Sequence, residues 1–174
     1  MQHAELDKLM ADSPVILVAE DSENDVVILR KALSEAFIEH QLFVVSDGDE
    51  CIDYLNGSSR FSDRSQYPFP HLLLLDLAMP RKNGFEVLDW IRDQPGFKRL
   101  PVVVLTSSQK LRDMNRAYRL GAVSFLLKPP SFKDLSELSR LLPVRFLLPM
   151  TMQVKITEIP PPTDAPGAGI PPTP

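Results

Sequence analysis

The chain has 174 residues, enough for one domain with an appendage, and its 44% hydrophobic and 24% charged residues are ordinary for a globular protein with a sizeable core. A formal net charge of −4 gives no electrostatic case for nucleic acid or an anionic membrane, so neither is expected as a partner. A single cysteine, Cys51, excludes an internal disulfide and fits a reducing compartment.

Residues 1–13 read as a lead without the basic start and apolar stretch of a signal peptide. No apolar run approaches the ~20 residues of a membrane span, so a cytoplasmic location is expected. "PVILVAED" (14–21) is a short buried strand that ends in acid. "SENDVVILRKALSEAF" places Val26, Leu29, Leu33 and Phe37 at helical spacing, with Ser22 as its cap. "QLFVVSDG" is a second strand and "DECIDYLN" a helix, with Cys51 on its buried side. "GSSRFSDRSQYPFP" reads as a long polar loop. "LLLLD" (72–76) is a strand buried on both faces, and after Asn83-Gly84 comes the helix "FEVLDWIRDQ". "LPVVVLTSS" is a fourth strand, and "QKLRDMNRAYRLG" a helix stopped by Gly121. "AVSFLLKPP" is a fifth strand, and "SFKDLSELSRLL" a helix starting on Ser131. Five strand–helix units in strict alternation predict an α/β fold, a doubly wound parallel sheet with helices on both faces over 14–142.

The strand ends carry the chemistry, because in such a sheet they share one rim. The first ends in Glu20-Asp21, the third in Asp76, the fourth in Thr106-Ser107 and the fifth in Lys128-Pro129. An ionised carboxylate at the end of four leucines is costly unless it is paired. Three clustered carboxylates repel one another and call for a cation, and an all-oxygen ligand set suits a hard ion such as Mg²⁺. Thr106 and Lys128 would then donate to an anion bound beside that metal. The set suits phosphoryl transfer onto a carboxylate. Each residue alone also has a plain structural reading: acids as helix caps, Thr106-Ser107 as a cap, Lys-Pro as a loop. His3, His40 and His71 are scattered without metal-ligand spacing.

The stretches "ILVAED", "LLLLDLAMPRKNGFEVL", "PVVVLTSS" and "GAVSFLLKPP" together resemble the receiver domain of two-component response regulators. The resemblance implies the flavodoxin-like strand order 2-1-3-4-5. It makes Asp76 the phosphoacceptor from a sensor histidine kinase. It makes Glu20, Asp21, Asp76 and the backbone carbonyl of Ala78 the Mg²⁺ ligands. Thr106 becomes the hydroxyl that turns to the phosphoryl group, Lys128 its ammonium partner, and Phe125 the switch aromatic. The family's cis peptide would be Lys128-Pro129. Two positions depart from the common pattern: Phe125 has no hydroxyl, and Ala78 stands where relatives often carry an amide. The long 57–70 loop, "MPRKNG" and an extended C-terminal segment resemble the stand-alone receivers that serve phytochrome-type kinases, so a bacteriophytochrome is a candidate partner.

Other functions fit less of the sequence. A haloacid-dehalogenase-type phosphatase needs a second Asp two residues after the nucleophile, where this chain has Ala78. A nucleotide-binding sheet needs a glycine-rich turn after strand one, which here reads "AEDSEN". A receiver-like scaffold that signals without phosphorylation stays open as an alternative.

No DNA-binding module follows the receiver, so output is expected through protein contact or phosphorelay. In the arm 143–158, "MTMQVKIT" alternates apolar and polar residues like a strand. An isolated strand is unstable in water, so the arm is expected to pair, either by exchange between two copies, giving a homodimer, or by folding back on its own domain, unless it is a disordered tail. The tail 159–174 is Pro/Gly-rich and expected to be disordered.

Overall fold

The structure, a computed structural model, describes residues 13–36 and 40–142. The lead 1–12, residues 37–39, the arm and the tail lie outside the described residues. Five parallel strands form one sheet: β1 (Val15–Ala19), β2 (Gln41–Val45), β3 (Leu72–Asp76), β4 (Val102–Thr106) and β5 (Ser124–Leu127). Their order is β2-β1-β3-β4-β5, as the receiver resemblance implied. Five α-helices alternate with them: α1 (Glu23–Ala36), α2 (Gly48–Asn56), α3 (Gly84–Asp93), α4 (Leu111–Arg119) and α5 (Phe132–Glu137).

The three inner strands are buried at every residue, which is why they read as unbroken apolar runs. Successive side chains point to opposite faces and build two cores. Leu17, Leu73, Leu75 and Val104 meet α2 and α3 through Tyr54, Leu55, Val87 and Leu88. Ile16, Val18, Leu74 and Val103 meet α1 and α5 through Leu29, Leu33 and Leu135. Each such side chain contributes roughly 1.5–3 kcal/mol by leaving water, so the β3 leucines anchor both layers and hold the strand that ends in Asp76.

Local signals start the helices where the rim needs them. The Asp47 carboxylate caps α2 by accepting from the Glu50 N–H at 2.9 Å. Asn83 and Glu86 form a reciprocal capping box at the start of α3, and Ser131 with Asp134 does the same for α5. Gly121, at φ 101°, follows α4 as expected.

The structure differs from the sequence expectation in three places. The 57–70 segment is more than a polar loop: a 3-10 turn at Ser59–Phe61 buries Phe61 against Tyr54 and Tyr67. Arg64 donates to the carbonyls of Tyr54 and Leu55 at 2.8 and 2.6 Å, in the last turn of α2. The last helix stays α-helical only to Glu137 and then tightens to a 3-10 turn at Leu138–Leu141. The helix after β4 begins at Leu111 rather than Gln109. Ahead of it, the Lys110 N–H is taken by the Ser108 hydroxyl at 3.2 Å.

Candidate functional site

The rim at the strand C-termini brings the predicted residues together. Glu20 follows β1, Asp76 and Thr106 close β3 and β4, and all three are buried. Asp21 is exposed, yet Glu20, Asp21 and Asp76 each place a carboxylate oxygen within 4.8 Å of the others. The Lys128 ammonium lies between two of them, 2.5 Å from Glu20 Oε2 and 3.1 Å from Asp76 Oδ2. Glu20 Oε1 accepts from the Ser22 N–H at 3.1 Å. The Lys128–Pro129 peptide is cis.

The electrostatics follow from this packing. Burial pushes the Glu20 carboxyl above its ordinary value, Asp76 pushes the same way, and the bonds from Lys128 and Ser22 only partly offset them. Burial also opposes the charge of Lys128, but Glu20 and Asp76 outweigh it and hold the ammonium above the ordinary lysine value. One ammonium therefore pairs with only two of the three clustered carboxylates, and Glu20 Oε2 is buried with no other hydrogen-bond partner. An all-oxygen cluster with this surplus of negative charge fits a hard divalent cation.

Two glycines position the loop that follows Asp76. The Gly84 N–H donates to the Leu77 carbonyl at 3.2 Å, and the Gly48 N–H to the Lys82 carbonyl at 3.1 Å. Ala78 sits exposed between these anchors. Thr106 does not cap a helix: its hydroxyl oxygen accepts from the Ser108 N–H at 3.0 Å, which leaves its O–H to donate elsewhere. Phe125 is half-buried, its ring set edge-on to Tyr118 at 5.8 Å.

Three contributors escaped the sequence reading. Asp25 on α1 is a further carboxylate, 3.2 Å from Lys128. In the sequence it is one acid among Asp21, Glu23 and Asp25 where α1 begins, and nothing there marks it out from its neighbours. Buried Asp47 pairs with Arg81, which stands in the left-handed region at φ 59° and so ties the post-Asp76 loop to α2. Tyr118, the partner of Phe125, is separated from it by the whole α4–β5 turn and gave no pattern.

Residues 16–140 match the family model described as the response regulator receiver domain. The chain belongs to that family. It is 37% identical to response regulator Rcp1 of Synechocystis sp. over 124 residues, 71% of this chain and 82% of that one. The structure of the Mn²⁺-bound form of Rcp1 is similar with a TM-score of 0.64 at 35% identity, covering 72% of this chain and 91% of that one. The phosphorylated cyanobacterial phytochrome response regulator RcpA gives a TM-score of 0.63 at 32% identity, covering 72% and 88%. The bacteriophytochrome response regulator AtBRR gives 0.67 at 33% identity, covering 75% and 92%. The protein is thus a two-component receiver close to phytochrome response regulators. Such proteins are signalling components rather than conventional enzymes. Phosphorylation and divalent-metal binding are typical of the family. Among the described residues no helix is long and apolar enough to cross a membrane.

Proposed function

We propose that this protein accepts a phosphoryl group on Asp76 from a sensor histidine kinase, with Mg²⁺ held by Glu20, Asp21, Asp76 and the Ala78 carbonyl. The observation that carries this is the Lys128 ammonium, 3.1 Å from Asp76 and 2.5 Å from Glu20. A carboxylate oxygen of Asp76 attacks phosphorus, the phosphorus–nitrogen bond of the donor histidine breaks, and the imidazole leaves with the electron pair. Mg²⁺ held by Glu20, Asp21 and Asp76 would supply positive charge that offsets the charge of the transferring group. Lys128 turns from the carboxylates to a phosphoryl oxygen, and Thr106 donates its O–H to another. Asp25 gives Lys128 a further carboxylate to rest against, beside a small cleft lined by Ile28, Pro129 and Pro130.

Incubation with Mg²⁺ and acetyl phosphate, followed by mass spectrometry of proteolytic fragments, tests the reading. The expected product is one phosphoryl group on Asp76, absent from Asp76→Asn. Normal uptake by that variant overturns it. The alternative, a scaffold that signals without phosphorylation, predicts no uptake by the unaltered chain.

The likeness to RcpA and AtBRR, named for phytochromes, supports a bacteriophytochrome as the kinase. A homodimer exchanging the 143–158 arm is proposed from the period-two pattern of "MTMQVKIT". Light scattering on the full chain and on a chain ending at Leu148 decides it. A dimer is expected only for the former.

A further inference from the structure

An aromatic group with one exposed ring lies at the end of the sheet opposite Asp76. Phe69 precedes β3, Phe97 precedes β4, and Trp90 stands in the last turn of α3. The Phe69 ring stacks on Phe97 at 5.6 Å and 14°, and Phe97 lies 5.3 Å from Trp90. Phe69 is 43% exposed, and the chain holds it so. Pro68 and Pro70 flank it and restrict its backbone, and the Pro68 carbonyl accepts from the buried Tyr54 hydroxyl at 2.9 Å. Trp90 and Phe97 are partly buried against the core, so Phe69 is the ring that this support holds out into water.

The chain enters the domain at this same edge. Ile16 pairs with Leu72, and the His71 N–H donates to the Val15 carbonyl at 2.8 Å. The start of β1 and Phe69, which precedes β3, therefore lie at the same end of the sheet. Residues 1–12 precede β1 and so join the domain at that end. Twelve residues reach ~18 Å as a helix and ~40 Å when extended, enough to cross three rings in either form.

Composition matches as well. Leu6, Leu9 and Met10 recur at the spacing of one helix face. The lead carries Glu5, Asp7 and Asp12 against one lysine, Lys8. The rim of the patch is basic: Lys98 and Arg99 follow Phe97 and are exposed, whereas Arg92 is committed to Asp89 and Asp93.

We propose that residues 1–12 dock across the Phe69–Phe97–Trp90 cluster of their own chain, with Leu6, Leu9 and Met10 on the rings and the acids toward Lys98 and Arg99. Attachment at the same end of the sheet favours the chain's own lead over a second copy, because the effective concentration of a tethered segment is of order millimolar.

Trp90 is the sole tryptophan, so its fluorescence reports the cover directly. In the full chain, Leu6→Asp with Leu9→Asp is expected to shift Trp90 emission to the red and make it more readily quenched by acrylamide. Lys98→Glu with Arg99→Glu is expected to move both readouts in the same direction by a smaller amount. Lys98 and Arg99 are exposed, and an unchanged far-ultraviolet circular dichroism spectrum verifies the fold of both variants. Emission and quenching equal to the unaltered chain in both variants overturn the proposal. So does a wild-type signal that relaxes to the variant's on dilution, which would assign the cover to a second copy.

Discussion

A Cβ added to Gly84 would lie 2.3 Å from the backbone oxygen of Asp76. The first turn of α3 thus rests directly on the residue proposed to take the phosphoryl group, with no side chain between them. Backbone on both sides leaves nothing flexible to yield.

Gly84→Ala is therefore expected to push α3 away from β3 and destabilise the protein by about 1–3 kcal/mol, the range for overpacking a close contact. Urea unfolding measures the loss. Uptake of phosphate from acetyl phosphate should fall as well, because the Asp76 backbone shifts. A variant of unchanged stability and reactivity would show that the contact relaxes freely.

Lys128→Ala should be more damaging without metal than with it. The ammonium is the described counter-ion of both Glu20 and Asp76, so its removal leaves two buried carboxylates uncompensated. Removing one partner of a buried pair costs about 3–5 kcal/mol. A divalent cation on the same acids replaces part of the lost charge. Unfolding midpoints with and without Mg²⁺ should differ more for Lys128→Ala than for the unaltered protein. An equal Mg²⁺ effect in both would place the ion elsewhere.

Burial pushes the Cys51 thiol up from its ordinary 9.0 to about 12. The folded state thus holds a proton that the unfolded chain releases above pH 9. Raised in the folded state, the group contributes stability that is fully present below its unfolded value and is lost as pH rises toward 12. The slope is about 1.4 kcal/mol per pH unit within that window. Urea unfolding of the unaltered chain and of Cys51→Ala from pH 8 to 10.5 isolates the effect, since other alkaline groups are common to both. The variant should lose less stability over that range, and parallel curves would refute the assignment.

Phosphorylation should shift a population through Thr106 and Phe125. In this structure the Thr106 hydroxyl faces its own loop through Ser108, and Phe125 packs on Tyr118. A phosphoryl oxygen offers Thr106 a charged acceptor, which draws the β4 end inward and gives the Phe125 ring room to turn. A ligand moves such an equilibrium only by its differential affinity for the two states. Beryllofluoride should move amide resonances across 106–130, including residues near Tyr118 that do not touch the site. Changes restricted to direct contacts would exclude this switch.

The strands and the rim were legible in the chain because both rest on local rules. A strand buried on two faces must be a run of apolar residues, so Leu72–Leu75 announced β3 and its end announced Asp76. Parallel strands joined by helices put all their C-termini on one edge, so Glu20, Asp76, Thr106 and Lys128 could be gathered without coordinates. Helix starts were readable in the same way, from Ser22, Asn83 and Ser131. Tertiary structure alone decided which groups answer one another across sequence. Asp25 meets Lys128 only because α1 and the end of β5 flank the same strand end. Asp47 pairs with Arg81, and Gly48 meets Lys82, because α2 begins beside the loop that leaves β3. Phe61, set in a stretch that reads as polar, is buried because Tyr54 and Tyr67 close around it. Pattern reports what each residue needs, burial or water or a partner; the distance to that partner is a property of the packed chain.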